Sequence, residues 1–195
     1  MRSDEAQEVA RVARGDRADY ARLVNLHLQP IEAYAFRICA NRATAEDVVQ
    51  EVMLRLWLRA AHFQPERARL TTWLHQMAHN LCIDHLRRNS RLTELPFGND
   101  PPDTHEVTSG QSAYLHSTAA EAVEVGVVDE HADAVQQALA QLPERQRNAL
   151  VLTYYQGLSN AEVAQVMQTG VRAVESLLVR ARAALKKQLE QAYGN

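Results

Sequence analysis

The 195-residue sequence contains few of the residues that interrupt helices or cross-link a chain. It has seven Gly, six Pro and two Cys, and only 6% of its residues are aromatic. Two thiols cannot form the disulfide framework of a small secreted scaffold, so we expect Cys39 and Cys82 to be buried and reduced. Long stretches without Gly or Pro, rich in Ala, Leu, Gln, Arg and Glu, predict an all-α protein.

Long hydrophobic runs are also missing. No apolar segment reaches the roughly 20 residues that a membrane-spanning helix needs. The first residues, MRSDEAQEVARVARGD, are too highly charged for a signal peptide. We therefore expect a cytoplasmic protein with no membrane insertion.

The net charge of −3 conceals an uneven distribution. Between Val52 and Arg91 seven Arg accompany two carboxylates, and between Val171 and Lys187 five basic residues accompany one. Between Thr93 and Asp133 there are nine carboxylates and no Lys or Arg. Two basic segments that suit nucleic acid are thus separated by an acidic one.

The acidic segment predicts a linker between two domains. It includes PFGNDPPDTHEVTSGQS, whose Pro, Gly, Asp, Ser and Thr residues disfavour regular structure. We predict two small helical domains, residues 1–92 and 131–195, joined by a flexible acidic linker over residues 93–130.

Apolar periodicity predicts the helices of both domains. In the first domain they lie near residues 4–14, 17–40, 44–61 and 70–89, and Thr44 is the expected N-cap of the third. In the second domain we expect helices near residues 131–141 and 143–156, with Gly157 as a C-cap.

The end of the chain contains a helix-turn-helix pattern. SNAE predicts a capping box of Ser159 and Glu162, and AEVAQVM is followed by QTG and the long basic helix VRAVESLLVRARAALKKQLEQA. One apolar stripe of that helix can pack on the preceding helix: Val171, Val174, Leu178 and Leu185. Its other side would meet the base edges of duplex DNA through Arg172, Glu175, Ser176, Val179 and Arg180. A solvated charged face is the alternative.

The segment WLHQMAHNLCIDHLRR, residues 73–88, belongs to a helix with two faces. The core stripe consists of Leu70, Leu74, Met77, Ala78 and Leu81. A separate arc carries Trp73, Gln76, Asn80 and Arg87. An aromatic ring, two amides and a guanidinium suit unstacked bases and single-stranded backbone, although Trp73 could instead complete the core.

The same helix raises the question of a metal site. His75, His79 and Cys82 lie close together on the helical wheel, with His85 at the edge of the core stripe. One straight helix seldom supplies a tetrahedral set of zinc ligands without help from another element. We therefore expect no metal and no cofactor, and we keep a metal sensor as an alternative function.

The preceding helix, AEDVVQEVMLRLWLRA, also has a second face. Its core stripe is formed by Val48, Val49, Val52 and Leu56. A mixed acidic and apolar face carries Asp47, Gln50, Glu51, Leu54 and Leu58. Such a face suggests a protein partner, and a solvated face with two exposed leucines is the alternative.

Four motifs in order resemble those of the extracytoplasmic-function (ECF) sigma factors, the smallest sigma-70-type initiation factors of bacteria. They are DVVQEVMLRLW, TWLHQMAHNLCIDHLRR, LPERQRNALVLTYYQGLSNAEVAQVM and VRAVESLLVRARAAL. The resemblance covers about residues 8–92 and 131–190. It implies a non-enzymatic subunit that directs RNA polymerase core to promoters in response to a stress or envelope signal, and that is controlled by an anti-sigma factor.

The resemblance also implies roles for the faces defined above. The face of Asp47, Gln50 and Glu51 would dock on the clamp helices of the beta-prime subunit. The segment from Phe63 through Trp73 to Arg87 would open and read the minus-10 element as a single strand. The helix-turn-helix would read the minus-35 duplex and contact the beta flap, and the acidic linker would thread the polymerase near the active site and the RNA exit channel.

Two departures from the family pattern stand out. Gln168, Thr169 and Gly170 occupy the turn where relatives usually have Gly, an apolar residue and Ser or Thr, although Gly170 is a tolerable N-cap. His79 stands where relatives more often have Arg, so we expect a weaker phosphate contact near neutral pH. A transcriptional repressor or activator that binds duplex DNA without polymerase is the other alternative function.

Overall fold

The computed structural model describes residues 2–93 and 130–193, and all regular structure within those ranges is helical. The N-terminal domain contains α1 (Arg2–Val12), α2 (Arg17–Cys39), α3 (Arg42–Arg59), a 3-10 turn (Ala60–His62) and α4 (Leu70–Thr93). The C-terminal domain contains α5 (Glu130–Ala140), α6 (Glu144–Leu150), a π-helical turn (Val151–Tyr155), α7 (Asn160–Val166) and α8 (Val171–Tyr193). The predicted all-α fold is confirmed, whereas residues 94–129 of the predicted linker lie outside the described residues.

Short polar side chains set where the N-terminal helices begin. Asp16 caps α2 by accepting hydrogen bonds from the backbone N–H groups of Ala18 and Asp19, at 2.9 and 3.0 Å. The predicted N-cap of α3, Thr44, is wrong. Ala40 ends α2 in a left-handed conformation, with φ 51°, and the next residue, Asn41, is extended. The Asn41 side chain accepts a 2.8 Å hydrogen bond from the Thr44 N–H and is the N-cap. α3 therefore begins at Arg42, before the predicted start.

The core of the N-terminal domain lies where α2, α3 and α4 pack on one another. The predicted stripe of α3 is confirmed, because Val48, Val49, Val52 and Leu56 are all buried. The predicted stripe of α4 is buried except for Met77, which is half-buried. These stripes fix the outward direction of the remaining faces of both helices.

The helix-turn-helix forms as the sequence predicts. The Glu162 N–H donates to Ser159 Oγ at 3.3 Å, and the Ser159 N–H donates to Glu162 Oε2 at 2.9 Å, which completes the capping box of α7. Gly157, with φ 65°, follows the π-helical turn at the predicted helix end. Gln168 takes φ 51° in the turn before α8, the left-handed region that Gly occupies at least cost.

The apolar side of α8 is shifted from its predicted position. Val174, Leu177 and Leu178 are buried, but the predicted member Val171 is 42% exposed. Val171 is the first residue of α8, where the neighbouring chain is the turn rather than the body of α7. The stripe therefore starts one turn later than the periodicity indicates.

The two domains pack directly on each other. α4 lies along α7, and α2 contacts α5, α6 and the π-helical turn. Buried apolar residues of both domains form one continuous cluster. The side chains that line this interface decide which predicted functional surfaces are open.

Candidate nucleic-acid interface

The outer side of α8 is fully open to solvent. All five residues predicted to read duplex DNA are exposed: Arg172, Glu175, Ser176, Val179 and Arg180. Their hydrogen bonds are local, since Ser176 Oγ donates to the Arg172 carbonyl at 3.0 Å and Arg180 Nε donates to the Ser176 carbonyl at 3.2 Å. Arg172 and Arg180 thus present their guanidinium groups on an exposed helix surface, from which such groups can reach base edges in a DNA groove.

The outer side of α3 carries the predicted polymerase-binding residues. Asp47 and Gln50 are exposed, and the apolar side chains of Leu54 and Leu58 are 49% and 65% exposed. Glu51 is half-buried and accepts a 2.7 Å hydrogen bond from Arg55 Nε. Two large exposed leucines beside carboxylates give this face both an apolar and an acidic component.

The second face of α4 lies between solvent and the C-terminal domain. Asn80 and Arg87 are exposed, whereas Trp73 and Gln76 are half-buried. The ring of Trp73 lies against Phe63, with 5.4 Å between centroids and 48° between planes. The predicted strand-binding residues therefore share one side of α4, with both aromatic rings at its N-terminal end.

The turn of the helix-turn-helix overhangs this face of α4. Asn80 and Arg87 line a groove whose opposite wall is formed by Met167 and Gln168. Farther toward the start of α4, Gln165 Nε2 donates to the Arg67 carbonyl at 3.3 Å. The predicted minus-10 surface is thus partly covered by the C-terminal domain.

A buried network of three polar side chains joins the domains. The Tyr34 hydroxyl donates to Asn148 Oδ1 at 2.7 Å. His79 Nδ1 lies 3.0 Å from that hydroxyl and 3.2 Å from the same Oδ1. Asn148 Nδ2 donates to the Glu144 carbonyl at 2.9 Å, which fixes the orientation of the amide. Tyr34 and Asn148 are completely buried, so the hydrogen bond between them is shielded from water.

Charged and aromatic contacts extend the interface at its edges. Glu162, which caps α7, accepts a 3.3 Å hydrogen bond from Thr72 Oγ1 and lies 3.6 Å from Arg69 Nη1. Burial raises the pKa of Glu162, but the Ser159 hydrogen bonds and the Arg69 charge lower it more. On the α2 side, the Arg37 guanidinium lies 4.3 Å from the centre of the Tyr155 ring.

His75 faces the interior and the C-terminal domain. It is 1% exposed, its Nδ1 lies 2.8 Å from the Thr71 carbonyl, and its Nε2 lies 3.1 Å from Gln156 Oε1. Burial lowers the pKa of His75 below its usual value, against the opposing effect of these hydrogen bonds. Burial likewise lowers the pKa of His79, and the hydrogen bond to Asn148 opposes it. Both rings are therefore neutral at neutral pH.

Within the described ranges, 2–93 and 130–193, no group of three or more His, Cys, Asp or Glu side chains is arranged to hold a metal ion. Both ring nitrogens of His75 have protein neighbours, and Nδ1 of His79 is taken up by the Tyr34 and Asn148 network. The arrangement of these histidines does not favour the metal-sensor alternative.

The sequence did not identify the residues that join the domains. Tyr34 occupies a core position of α2. The apolar periodicity of the helix predicts that its ring is buried, but not whether its hydroxyl reaches another domain or solvent. Asn148 follows four polar residues of α6, Glu144 to Arg147, so the sequence has no signal that separates its buried amide from an exposed one. Glu162 was identified only as a capping residue.

The family model of sigma-70 region 2 matches residues 23–92, and the family model of sigma-70 region 4 matches residues 132–185. The RNA polymerase sigma-H factor of Pseudomonas aeruginosa is 32% identical over 189 residues, which cover 94% of this chain and 93% of that protein. The ECF sigma factor SigM of Mycobacterium tuberculosis is 30% identical, with coverage of 96% of this chain and 85% of that protein. This chain belongs to the sigma-70 family and is an ECF sigma factor. The ECF sigma factor SigW of Bacillus subtilis is 28% identical to it, with coverage of 94% and 95%.

Two solved structures share the fold of this sigma factor. CnrH, in complex with the cytosolic domain of CnrY, gives a TM-score of 0.67 at 24% identity, with coverage of 96% of this chain and 97% of that chain. RpoE of Bartonella quintana, in complex with the anti-sigma factor NepR, gives 0.66 at 23% identity, with coverage of 88% and 97%. Among the described helices of this sigma factor, none is long and apolar enough to cross a bilayer.

Proposed function

We propose that this sigma factor binds RNA polymerase core through α3, reads the single-stranded minus-10 element with α4, and reads the minus-35 duplex with α8. One observation carries the proposal above the others. α8 leaves all five residues predicted to reach bases exposed while its opposite side is buried in the domain. A recognition helix needs this combination, because the buried side fixes the direction in which the open side points.

The face of α3 is the proposed polymerase contact. Leu54 and Leu58 offer apolar area, while Asp47 and Gln50 offer acceptors and charge at its border. An apolar centre with a polar rim is the common composition of a protein interface. In this proposal the clamp helices of the beta-prime subunit cover the leucines, and the C-terminal domain meets the beta flap.

The minus-10 role requires the domains to separate. Asn80 and Arg87 line the groove beneath the helix-turn-helix, and a DNA strand and that turn cannot occupy it together. The contacts to be broken include the Tyr34–Asn148–His79 network and the partly exposed Arg69–Glu162 pair. Individual contacts of these kinds contribute about 0.5 to 1.5 kcal/mol each, which polymerase binding can offset.

We further infer that this protein is cytoplasmic, has no enzymatic activity of its own, responds to a stress or envelope signal, and is regulated by an anti-sigma factor. Two proteins of the same fold are known in complex with CnrY and with the anti-sigma factor NepR. The acidic linker, with carboxylates and no Lys or Arg between Thr93 and Asp129, suits the positively lined channel that carries RNA phosphates.

In vitro transcription with purified core polymerase on a library of promoter fragments tests the proposal. We expect specific initiation that depends on this sigma factor, and core binding that is weakened by Leu54→Asp and Leu58→Asp together. Gln29→Asp, on an exposed position of α2, is the matched control. Duplex binding without polymerase, combined with no core binding, would instead support a conventional repressor or activator.

A further inference from the structure

A buried carboxylate ties α1 to α2. Asp19 lies in the first turn of α2 and is 4% exposed. Arg11 of α1 donates to this carboxylate from Nε and, at 3.3 Å, from Nη2. Arg22 of α2 pairs with the same carboxylate, and its Nε lies 3.3 Å from Oε1 of Glu8 in α1. Because a buried charge is costly to leave without its partners, these contacts fix α1 on α2.

The apolar side of α1 helps to support the short 3-10 turn that follows α3. α1 packs on this turn as well as on α2. Val9 and Val12 of α1 are 1% and 2% exposed, Ala60 of the turn is 4% exposed, and all three belong to one hydrophobic cluster. Since buried side chains are close-packed, a displacement of α1 is transmitted to the turn.

The 3-10 turn leads directly into the proposed minus-10 surface. Phe63 follows the turn, and its N–H donates to the Ala60 carbonyl at 3.1 Å. The Phe63 ring lies 5.4 Å from the ring of Trp73, measured between centroids. These two rings form the aromatic end of the α4 face that also carries Asn80 and Arg87. The position of the turn therefore sets where the Phe63 ring meets Trp73.

We propose that Asp19 is a positioning residue for minus-10 recognition, which holds α1 through Arg11 and thereby keeps the 3-10 turn and the Phe63–Trp73 pair in place. Asp19 and all of α1 precede residues 23–92, the part of the chain that the region 2 family model matches, so that match gives them no role. The inference rests on the minus-10 role proposed for α4. Asp19 itself touches no DNA in this scheme, because its effect passes through α1 and the turn.

Tryptophan fluorescence of the full-length protein tests the positioning role directly. The chain has two Trp, so Trp57→Phe leaves Trp73 as the only one. In this background Arg11→Gln should move the emission of half-buried Trp73 to longer wavelength, because a displaced turn exposes the ring. Arg11 is 38% exposed, and Asp19 keeps its pairing with Arg22, so the variant should fold, which circular dichroism checks. An unchanged spectrum would overturn the proposal.

A matched variant controls for the loss of an ion pair. Arg42→Gln removes an exposed pair within α3, in which Arg42 Nε lies 3.0 Å from Glu46 Oε1. The emission of Trp73 should stay unchanged in this variant. A spectral shift equal to that of Arg11→Gln would show that any lost surface charge has the same effect, and would contradict the specific route through α1.

Holoenzyme assembled from core polymerase and Arg11→Gln tests the consequence for promoters. Permanganate footprinting over time should show strand opening slowed about fivefold or more, because a site loses efficiency when its supporting residues shift. Core binding and minus-35 duplex binding should be unchanged, since α3 and α8 carry the contacts proposed for them. Equal losses in all three measurements would indicate a merely structural role and overturn the proposal.

A double variant tests whether the two residues act through one contact. Asp19→Asn keeps the size of the side chain, removes its charge, and should slow opening as Arg11→Gln does. The double variant Arg11→Gln, Asp19→Asn should open the promoter no more slowly than the slower single variant, because both changes break the same pair. Slowing that adds up in the double variant would contradict the shared route.

Trp73→Ala separates this inference from the proposed function. If Trp73→Ala opened promoters at the unmodified rate, the minus-10 role of this surface would fail and the positioning role would fall with it. If Trp73→Ala slowed opening while Arg11→Gln did not, the minus-10 role would stand and the role given to Asp19 would be wrong. We expect both variants to slow opening.

Discussion

The two proposed DNA-binding surfaces of this sigma factor differ in how they are held. The α8 surface is exposed, and Ser176 and Arg180 donate their hydrogen bonds to carbonyl groups of the same helix. The α4 surface lies beneath the helix-turn-helix and is flanked by hydrogen bonds between the domains. If the proposed roles hold, duplex recognition by α8 needs no rearrangement, whereas strand recognition by α4 depends on domain separation.

We expect the largest loss of stability from removing Asn148, which joins the two domains through Tyr34 and His79. Asn148→Ala removes an acceptor shared by Tyr34 and His79, and leaving buried polar groups unpaired should cost about 3 kcal/mol of stability. Urea unfolding measures the loss, and hydrogen exchange should show faster opening of α4 and α7. The control is Asn25→Ala, at an exposed position of α2. Unchanged exchange at both helices would mean that the network does not hold the domains together.

The open surface should respond in DNA binding and not in stability. Arg172→Ala and Arg180→Ala should each weaken minus-35 duplex binding by about 1 to 3 kcal/mol if the guanidiniums read bases. Asn80→Ala should leave that binding intact and impair strand opening or minus-10 selectivity. Titration of duplex DNA by holoenzyme and permanganate footprinting separate the two effects. If Asn80→Ala and Arg172→Ala gave the same pattern, the assignment of separate surfaces would be wrong.

Low pH should destabilise the folded protein through His75 and His79 of α4, which contact the C-terminal domain. Burial lowers the pKa of both His75 and His79, so the folded protein binds these protons less readily than the unfolded chain, whose histidines titrate near pH 6.5. The free energy of unfolding should therefore be constant with respect to these groups above about pH 6.5 and decrease as the pH falls below that value. The decrease should level off once the folded rings are protonated as well.

Urea unfolding at pH 7.5 and pH 5.5 checks this dependence. His79→Gln should give a smaller difference between the two conditions, because one of the buried rings is gone. His62→Gln removes an exposed histidine outside the interface and serves as the control. A pH difference that persists in the double variant His75→Gln, His79→Gln would assign it to other groups.

The smallest effect concerns the turn that overhangs α4. Gln168 holds a φ of 51°, which Gly adopts without the steric cost of a Cβ, so Gln168→Gly should stabilise the protein by about 0.5 kcal/mol. Ala161→Gly, inside α7, should destabilise it by a comparable or larger amount. Thermal unfolding compares the two variants. A loss of stability in Gln168→Gly would show that contacts of the Gln168 side chain stabilise the protein by more than its positive φ destabilises it.

Local signals in the sequence predicted much of the fold. The capping box of Ser159 and Glu162, the positive φ at Gly157 and the buried stripe of Val48, Val52 and Leu56 all follow from interactions within a few residues of one another. The error at Thr44 is also local. Asn41 stands three residues earlier, and the left-handed Ala40 brings the chain into position for it to cap α3.

Apolar periodicity predicted burial less reliably at the first turn of a helix. Val171 has the spacing of a core residue but is the first residue of α8 and is 42% exposed. The residues predicted on the second faces of α3, α4 and α8 are exposed, except Glu51, Trp73 and Gln76, which are half-buried. Their roles in binding polymerase and DNA stay predictions.

The sequence by itself determined the helices, the helix-turn-helix and the division of each helix into an apolar and a polar side, since these depend on neighbours three or four residues apart. Tertiary structure alone decided that Tyr34 meets Asn148 and that α7 packs on the proposed minus-10 face of α4. Such contacts join residues far apart in the chain. They depend on how whole helices pack, and no local pattern records that arrangement.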